Sequence, residues 1–217
     1  MLKDAFSATI KYMQVMDENG SIDQQLMPND LQDQELVGFY KMMNLARNLD
    51  AKALSLQRQG KLATYAPLIG EEATQIGSAM AMRQNDFAVP NFRQHGVYIA
   101  RELPLEQFFV YWKGYEEGAI IDKKLNMTPV IVPVATQMPH AAGIAFAKKY
   151  MKEDSVVVVY VGDGGTSEGD FYEAINFAGV FKVPLVVIIE NNQWAISVPS
   201  RSRLRPRRLR RRQLQPA

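Results

Sequence analysis

The chain has 217 residues, 47% of them hydrophobic, enough to bury one large core or two small ones and too many for wholesale disorder. The net charge is +2, but residues 201–217 carry eight Arg and no acid, so removing those eight charges leaves residues 1–200 at −6. Cysteine is absent, which excludes disulfides, thiolate metal sites and a cysteine nucleophile and fits a reducing, cytoplasmic location.

The opening Met1-Leu2-Lys3-Asp4-Ala5-Phe6 has no long apolar stretch and no small-residue cleavage site, so no secretory signal is expected. No apolar run further on reaches the roughly 18 residues of a membrane span, so no membrane partner is expected. Residues 1–30 read as an N-terminal extension with little periodicity and a turn at Asn19-Gly20. From Leu31 to Arg58, Leu36, Tyr40, Met43, Leu49 and Leu54 recur at helical spacing, and Gly60 follows as a stop. Further helices are expected over Glu71–Met82, Pro104–Tyr115 and Pro139–Met151, the last two with proline in the first turn. Thr128 to Ala135 is β-branched and broken by proline, so a short strand or extended loop is expected there.

Ser155 to Val161 is a continuous apolar, β-branched run, the pattern of a strand buried on both faces of a parallel sheet. Gly162-Asp163-Gly164-Gly165 breaks it, and Asp170 to Phe181 then has helical spacing with Phe171, Ile175 and Ala178 on one side. Leu185 to Ile189 reads as a second buried strand ending in Glu190-Asn191-Asn192. A strand–loop–helix–strand unit makes the two strands parallel with a right-handed crossover. The fold class expected is α/β, a mostly parallel sheet with helices on both faces, in one domain over residues 31–200. After Pro199 the composition changes abruptly. The Arg-rich segment 201–217 has no aromatic residue for base stacking and no apolar stripe, so it is expected to be disordered and aberrant rather than a nucleic-acid-binding arm.

Ligands of such sheets bind beyond the carboxyl ends of the strands, where both Asp163 and Asn192 fall. One carboxylate and one side-chain amide are hard oxygen donors that suit Mg²⁺ or Ca²⁺ rather than Zn²⁺. Two phosphate oxygens, a water and a backbone carbonyl would complete an octahedron. Gly162, Gly164 and Gly165 let backbone N–H groups approach a phosphate, and the helix after Gly169 directs its positive end to the same place. Rival phosphate motifs fit worse: Ser167 stands where a dinucleotide fingerprint needs its third Gly, and Asp170 where a Walker loop needs Lys. Either fragment alone could be an ordinary turn; the pair at this spacing argues for a site.

Gly162-Asp163-Gly164 with Asn191-Asn192 resembles the thiamine-diphosphate motif. The run from Gly162 to Ala178 resembles, more narrowly, the alpha subunits of heterotetrameric 2-oxo acid dehydrogenases. So do Tyr65-Ala66-Pro67 with Gly70-Glu71-Glu72-Ala73, Phe92-Arg93-Gln94-His95-Gly96, and Gln137-Met138-Pro139 with Ala142-Gly143. The resemblance covers about residues 30–200 and is greatest to the bacterial pyruvate dehydrogenase type, with the branched-chain type and an inactive fragment of either as alternatives.

That resemblance implies thiamine diphosphate and Mg²⁺ as cofactors, with Asp163, Asn192 and the Trp194 carbonyl on the metal. Phe92 and Arg93 would meet the diphosphate; the family usually has Tyr-Arg, so Phe92 lacks one hydroxyl contact. Backbone near Val132 and Val134 would hold the aminopyrimidine. His95 is the candidate catalytic residue, for proton transfer or for orienting the lipoyl substrate; a loop-stabilising or phosphate-contacting role is equally open. The resemblance further implies a beta subunit in a heterotetramer, the lipoyl domain of an acyltransferase, and a 2-oxo acid substrate. Family alpha subunits are longer, so the fold is expected to be incomplete on its C-terminal side, with an exposed sheet edge.

Overall fold

A computed structural model describes Thr9 and residues 11–203; of the Arg-rich segment expected at 201–217, residues 204–217 lie outside the described residues. In chain order the elements are α1 (Asp33–Arg58), α2 (Glu72–Met80), β1 (Phe87–Val89), α3 (His95–Ala100), α4 (Leu105–Trp112), α5 (Gln137–Tyr150), β2 (Val157–Gly162), α6 (Gly169–Phe181), β3 (Leu185–Glu190), β4 (Trp194–Ala195), β5 (Val198–Pro199) and α7 (Ser200–Arg203). Short 3₁₀ turns lie at Glu116–Ala119, Lys123–Leu125 and Gly165–Ser167.

β1, β2 and β3 form a parallel sheet in that order, with Val159 between Val89 and Val187 in the register. The alternation of side chains along β2 divides the core. Val157, Val159 and Val161 pack with Met138, Ala141, Ala142 and Ala145 of α5 and Phe171 and Ala174 of α6. Val158 and Tyr160 pack on the other side, with Ala46, Leu49 and Ala53 of α1, Ile76 of α2 and Val97 of α3. Helices therefore cover both faces, and β2 is buried because it has neighbours in every direction. No helix among the described residues is long and apolar enough to cross a membrane.

Several elements differ from the sequence expectation. β1 and α3 were not foreseen. Of the two readings for 128–135 the loop is the one that forms, and pairing stops before it at a single parallel bridge between Ala88 and Met127. α5 starts at Gln137, two residues before Pro139. Proline is still tolerated there because the first four N–H groups of a helix have no intrahelical acceptor. α1 ends as expected before Gly60, which takes φ +70°. Its buried residues are Ala46, Leu49, Asp50 and Ala53, while Leu36 and Tyr40 stay exposed. Along β3 the burial is only partial and Val186 is exposed, as befits an edge strand.

Candidate functional site

The carboxyl ends of all three parallel strands open into one cleft of about 500 Å³. The loop after β1 contributes Asn91, Phe92, Arg93 and Gln94. The end of β2 and its loop contribute Gly162, Asp163, Gly164, Gly165 and Glu168. The end of β3 and the β4 hairpin contribute Glu190, Asn192, Trp194, Ala195 and Ile196. Gly162 pairs with Glu190 on the last rung of the ladder, and the Asp163 N–H donates to the Glu190 carbonyl at 3.1 Å. Asp163 is fully buried, whereas Asn192 is exposed. Asn192 Oδ1 accepts the Trp194 N–H at 2.9 Å, which leaves that oxygen a second lone pair for a cation.

The glycines differ in what they do. A Cβ at Gly162 would meet nothing within 4 Å, so this position leaves open space on the cleft wall. A Cβ at Gly165 would come within 2.6 Å of Val161 Cγ2, so there glycine is required by close packing. At Gly164 the tightest neighbour would be the Ala195 Cβ at 3.1 Å, where the hairpin folds over the loop.

Arg93 enters from the opposite wall. One guanidinium nitrogen, Nη1, donates to the Pro67 carbonyl at 2.6 Å, and the group lies 5.7 Å from the centre of the Phe92 ring. The other N–H groups remain to serve an anion in a planar fork.

Two carboxylates that sequence reasoning passed over also border the cleft. Burial, reinforced by the neighbouring charge of Glu71, pushes the Glu190 carboxyl up to about 7. Gln94 Nε2 donates to one Glu190 oxygen. Burial likewise raises the Glu71 carboxyl, against the opposing charge of Arg93 and hydrogen bonds from Gln75 and Asn192. The available signal was an acid ending an otherwise apolar strand directly before Asn191-Asn192.

Phe92 and Val134 also line a second, mostly apolar cavity of about 870 Å³, together with Val132, Ala66, Tyr111, Trp112 and Tyr115 among others. A polar cleft and an apolar cavity thus share a wall. Val132 belongs only to the apolar side.

His95 borders neither space. Its ring is fully buried, stacked on Tyr65 at 5.0 Å and edged by Phe108 and Trp112. Nε2 lies 2.8 Å from the Ala66 carbonyl, which can only accept, so that nitrogen carries the proton. Burial depresses the ring's basicity to about 4; the Ala66 bond opposes this and the Arg93 charge adds to it. A neutral ring behind the cleft wall makes no direct contact with a ligand in either space.

Glycines, a carboxylate, an amide and a guanidinium at the carboxyl ends of a parallel sheet define an α/β chain whose cleft offers the donors that a phosphate-bearing ligand and a hard cation need. A family model described as the dehydrogenase E1 component matches residues 40–210, and the chain belongs to that family. It is 44% identical over 185 residues to the pyruvate dehydrogenase E1 component subunit alpha of Acholeplasma laidlawii, covering 85% of this chain and 54% of that one. Over 170 residues it is 45% identical to the 3-methyl-2-oxobutanoate dehydrogenase subunit alpha of Mycobacterium tuberculosis, covering 78% and 46%. The pyruvate dehydrogenase E1 component subunit alpha of Staphylococcus aureus is 39% identical over 187 residues, covering 86% and 50%. The chain spans about half the length of the curated relatives it matches.

Proposed function

We propose that this chain is the cofactor-binding part of a pyruvate dehydrogenase alpha subunit. The observation that carries the reading is the meeting of Asp163, Asn192 and Arg93 in one cleft of a chain that belongs to the E1 family. Pyruvate is preferred because its relatives match over more of the chain; the branched-chain relative, 45% identical, supports the alternative of a branched-chain 2-oxo acid.

The donor set fits thiamine diphosphate with Mg²⁺. Asp163, the side chain of Asn192 and the Trp194 carbonyl would hold the ion, hard oxygen donors of the kind Mg²⁺ takes. Arg93 would grip the diphosphate, and the backbone at Gly162, Gly164 and Gly165 would lie beside it. Val132 and Val134 offer an apolar wall to the organic part of the cofactor. The bound cofactor supplies the nucleophilic carbon and electron sink for losing CO₂ from a 2-oxo acid. This chain binds and orients it, while a beta subunit completes the site and a lipoyl arm accepts the acyl group. His95 acts from behind the wall.

The test is magnesium-dependent thiamine diphosphate binding, measured by titration calorimetry on the chain paired with a beta subunit. Asp163→Ala and Asn192→Ala are each expected to abolish the magnesium-dependent part. Unchanged affinity in both would sink the reading. Decarboxylation rates with pyruvate and 3-methyl-2-oxobutanoate then separate the two substrates, and turnover by the chain without beta would refute the requirement for a partner.

A further inference from the structure

Four consecutive residues of the loop between α1 and α2 are each tied down. Tyr65 Oη donates to Asp50 Oδ1 at 2.7 Å, and the Leu68 N–H donates to the same oxygen at 2.9 Å. His95 Nε2–H donates to the Ala66 carbonyl at 2.8 Å, and Arg93 Nη1–H to the Pro67 carbonyl at 2.6 Å. Asp50 and His95 are both buried, Asp50 at 1% exposure, and neither borders the cleft. The Tyr65 ring lies on His95 at an interplanar angle of 17°, so the two anchors also brace each other.

The Pro67 carbonyl that holds Arg93 is therefore fixed from both sides by groups outside the cleft. Arginine loses much rotamer freedom when it is ordered. A carbonyl held in place before ligand arrives removes part of that cost from binding. We propose that Asp50 and His95 are positioning residues that hold the Arg93 guanidinium on the diphosphate, acting through the backbone of residues 65–68. The proposal rests on the reading of Arg93 as the diphosphate clamp.

The experiment is a double-mutant cycle read by calorimetric titration of the full chain with inorganic pyrophosphate and Mg²⁺. His95→Phe keeps a stacked ring but removes the bond to Ala66. It is expected to weaken binding roughly fivefold, the size of one lost hydrogen bond. In an Arg93→Met background the same change is expected to cost nothing further, because the group it positions is gone. Asp50→Leu removes the acceptor of both bonds and is expected to weaken binding by a similar factor, whereas Asp50→Asn, which keeps it, restores binding to within about twofold of the parent. Should His95→Phe not fold, Tyr65→Phe removes a single hydroxyl from the same brace and carries the same expectation. If His95→Phe and Tyr65→Phe bind like the parent while Arg93→Met is weak, the positioning proposal fails and the clamp stands. The proposal also fails if the loss is undiminished in the Arg93→Met background, because the brace is then only structural. If Arg93→Met binds like the parent, or the parent does not bind, the clamp reading fails and the proposal with it.

Discussion

The Asp163 N–H donates to the Glu190 carbonyl one step beyond the last β2–β3 rung, at 3.1 Å. That bond carries the ladder into the two loops. Asp163 and Asn192, 29 residues apart in the chain, leave the sheet from the same edge as a result. The strands set the rim, and the loop residues need to reach only a short way to share one cleft.

The same loop predicts opposite effects for two neighbouring glycines. Gly165→Ala drives a methyl to within 2.6 Å of Val161 Cγ2 in a fully buried region. Overpacking of that kind costs about 1–3 kcal/mol and should lower the melting temperature by several degrees. Gly162→Ala meets no atom within 4 Å and should leave the melt unchanged. It narrows the cleft wall, so its cost should appear in thiamine diphosphate affinity instead. A melt lowered equally by both would contradict this division.

Arg93 and Phe92 should respond in opposite senses. Arg93→Lys keeps the charge but loses the planar fork and its tie to the Pro67 carbonyl, and a fall of roughly tenfold in diphosphate affinity is expected. Phe92→Tyr restores a hydroxyl at the cleft wall and is expected to tighten binding by up to about fivefold. Titration of both variants against the parent decides it; equal affinity of parent and Arg93→Lys would remove the fork from the account.

The parts of this site legible in the sequence were those carried by long, strongly patterned elements. β2 and β3 are six residues each and bounded by Gly162 and Asn191-Asn192, so their parallel pairing and shared rim could be read directly. β1 could not, because three residues between Asp86 and Pro90 are too short to show any period. α3 was equally silent: it has six residues, includes Gly96 and starts after Gln94, which makes no side-chain cap. Those two elements place Arg93 and bury His95, so the opposite wall of the cleft and the isolation of His95 came only from the fold. The exposed Leu36 and Tyr40 of α1 teach the converse, since a helical stripe marks a face without saying what covers it.

Burial of His95 makes an acid-sensitivity prediction. Its basicity falls from 6.5 to about 4 on folding, so the unfolded chain binds the extra proton across that window. Stability contributed by the neutral ring is present above about pH 6.5 and is lost as pH falls towards 4, by an amount of order 3 kcal/mol. Arg93 faces the ring and adds to the effect, while Tyr65, Phe108 and Trp112 supply the apolar walls. Glu190 opposes it, because a raised carboxyl loses stability as pH rises from about 4.5 to 7. Comparing the parent with His95→Phe cancels the Glu190 contribution. Urea midpoints between pH 4.5 and 7 should fall more steeply with acid in the parent; parallel curves would show that His95 is not the source.

The open side of β3 carries the last prediction. Among the described residues β3 is the last strand of the sheet, paired with β2 on one side only, and its Val186 is exposed. Val180 and Phe181, at the end of α6 on the other face of the sheet, are 63% and 43% exposed and form a second apolar surface. An edge with unpaired backbone groups beside exposed apolar side chains is a template for pairing with another chain. The chain by itself should therefore self-associate at roughly micromolar concentrations. Val186→Lys places a charge on the edge strand, and Val180→Lys breaks the separate apolar surface at the end of α6; neither residue lines the cleft. Both should shift sedimentation profiles towards monomer without changing pyrophosphate affinity. A monodisperse parent chain with a single cooperative melt would mean that this surface is already satisfied and that the edge is no liability.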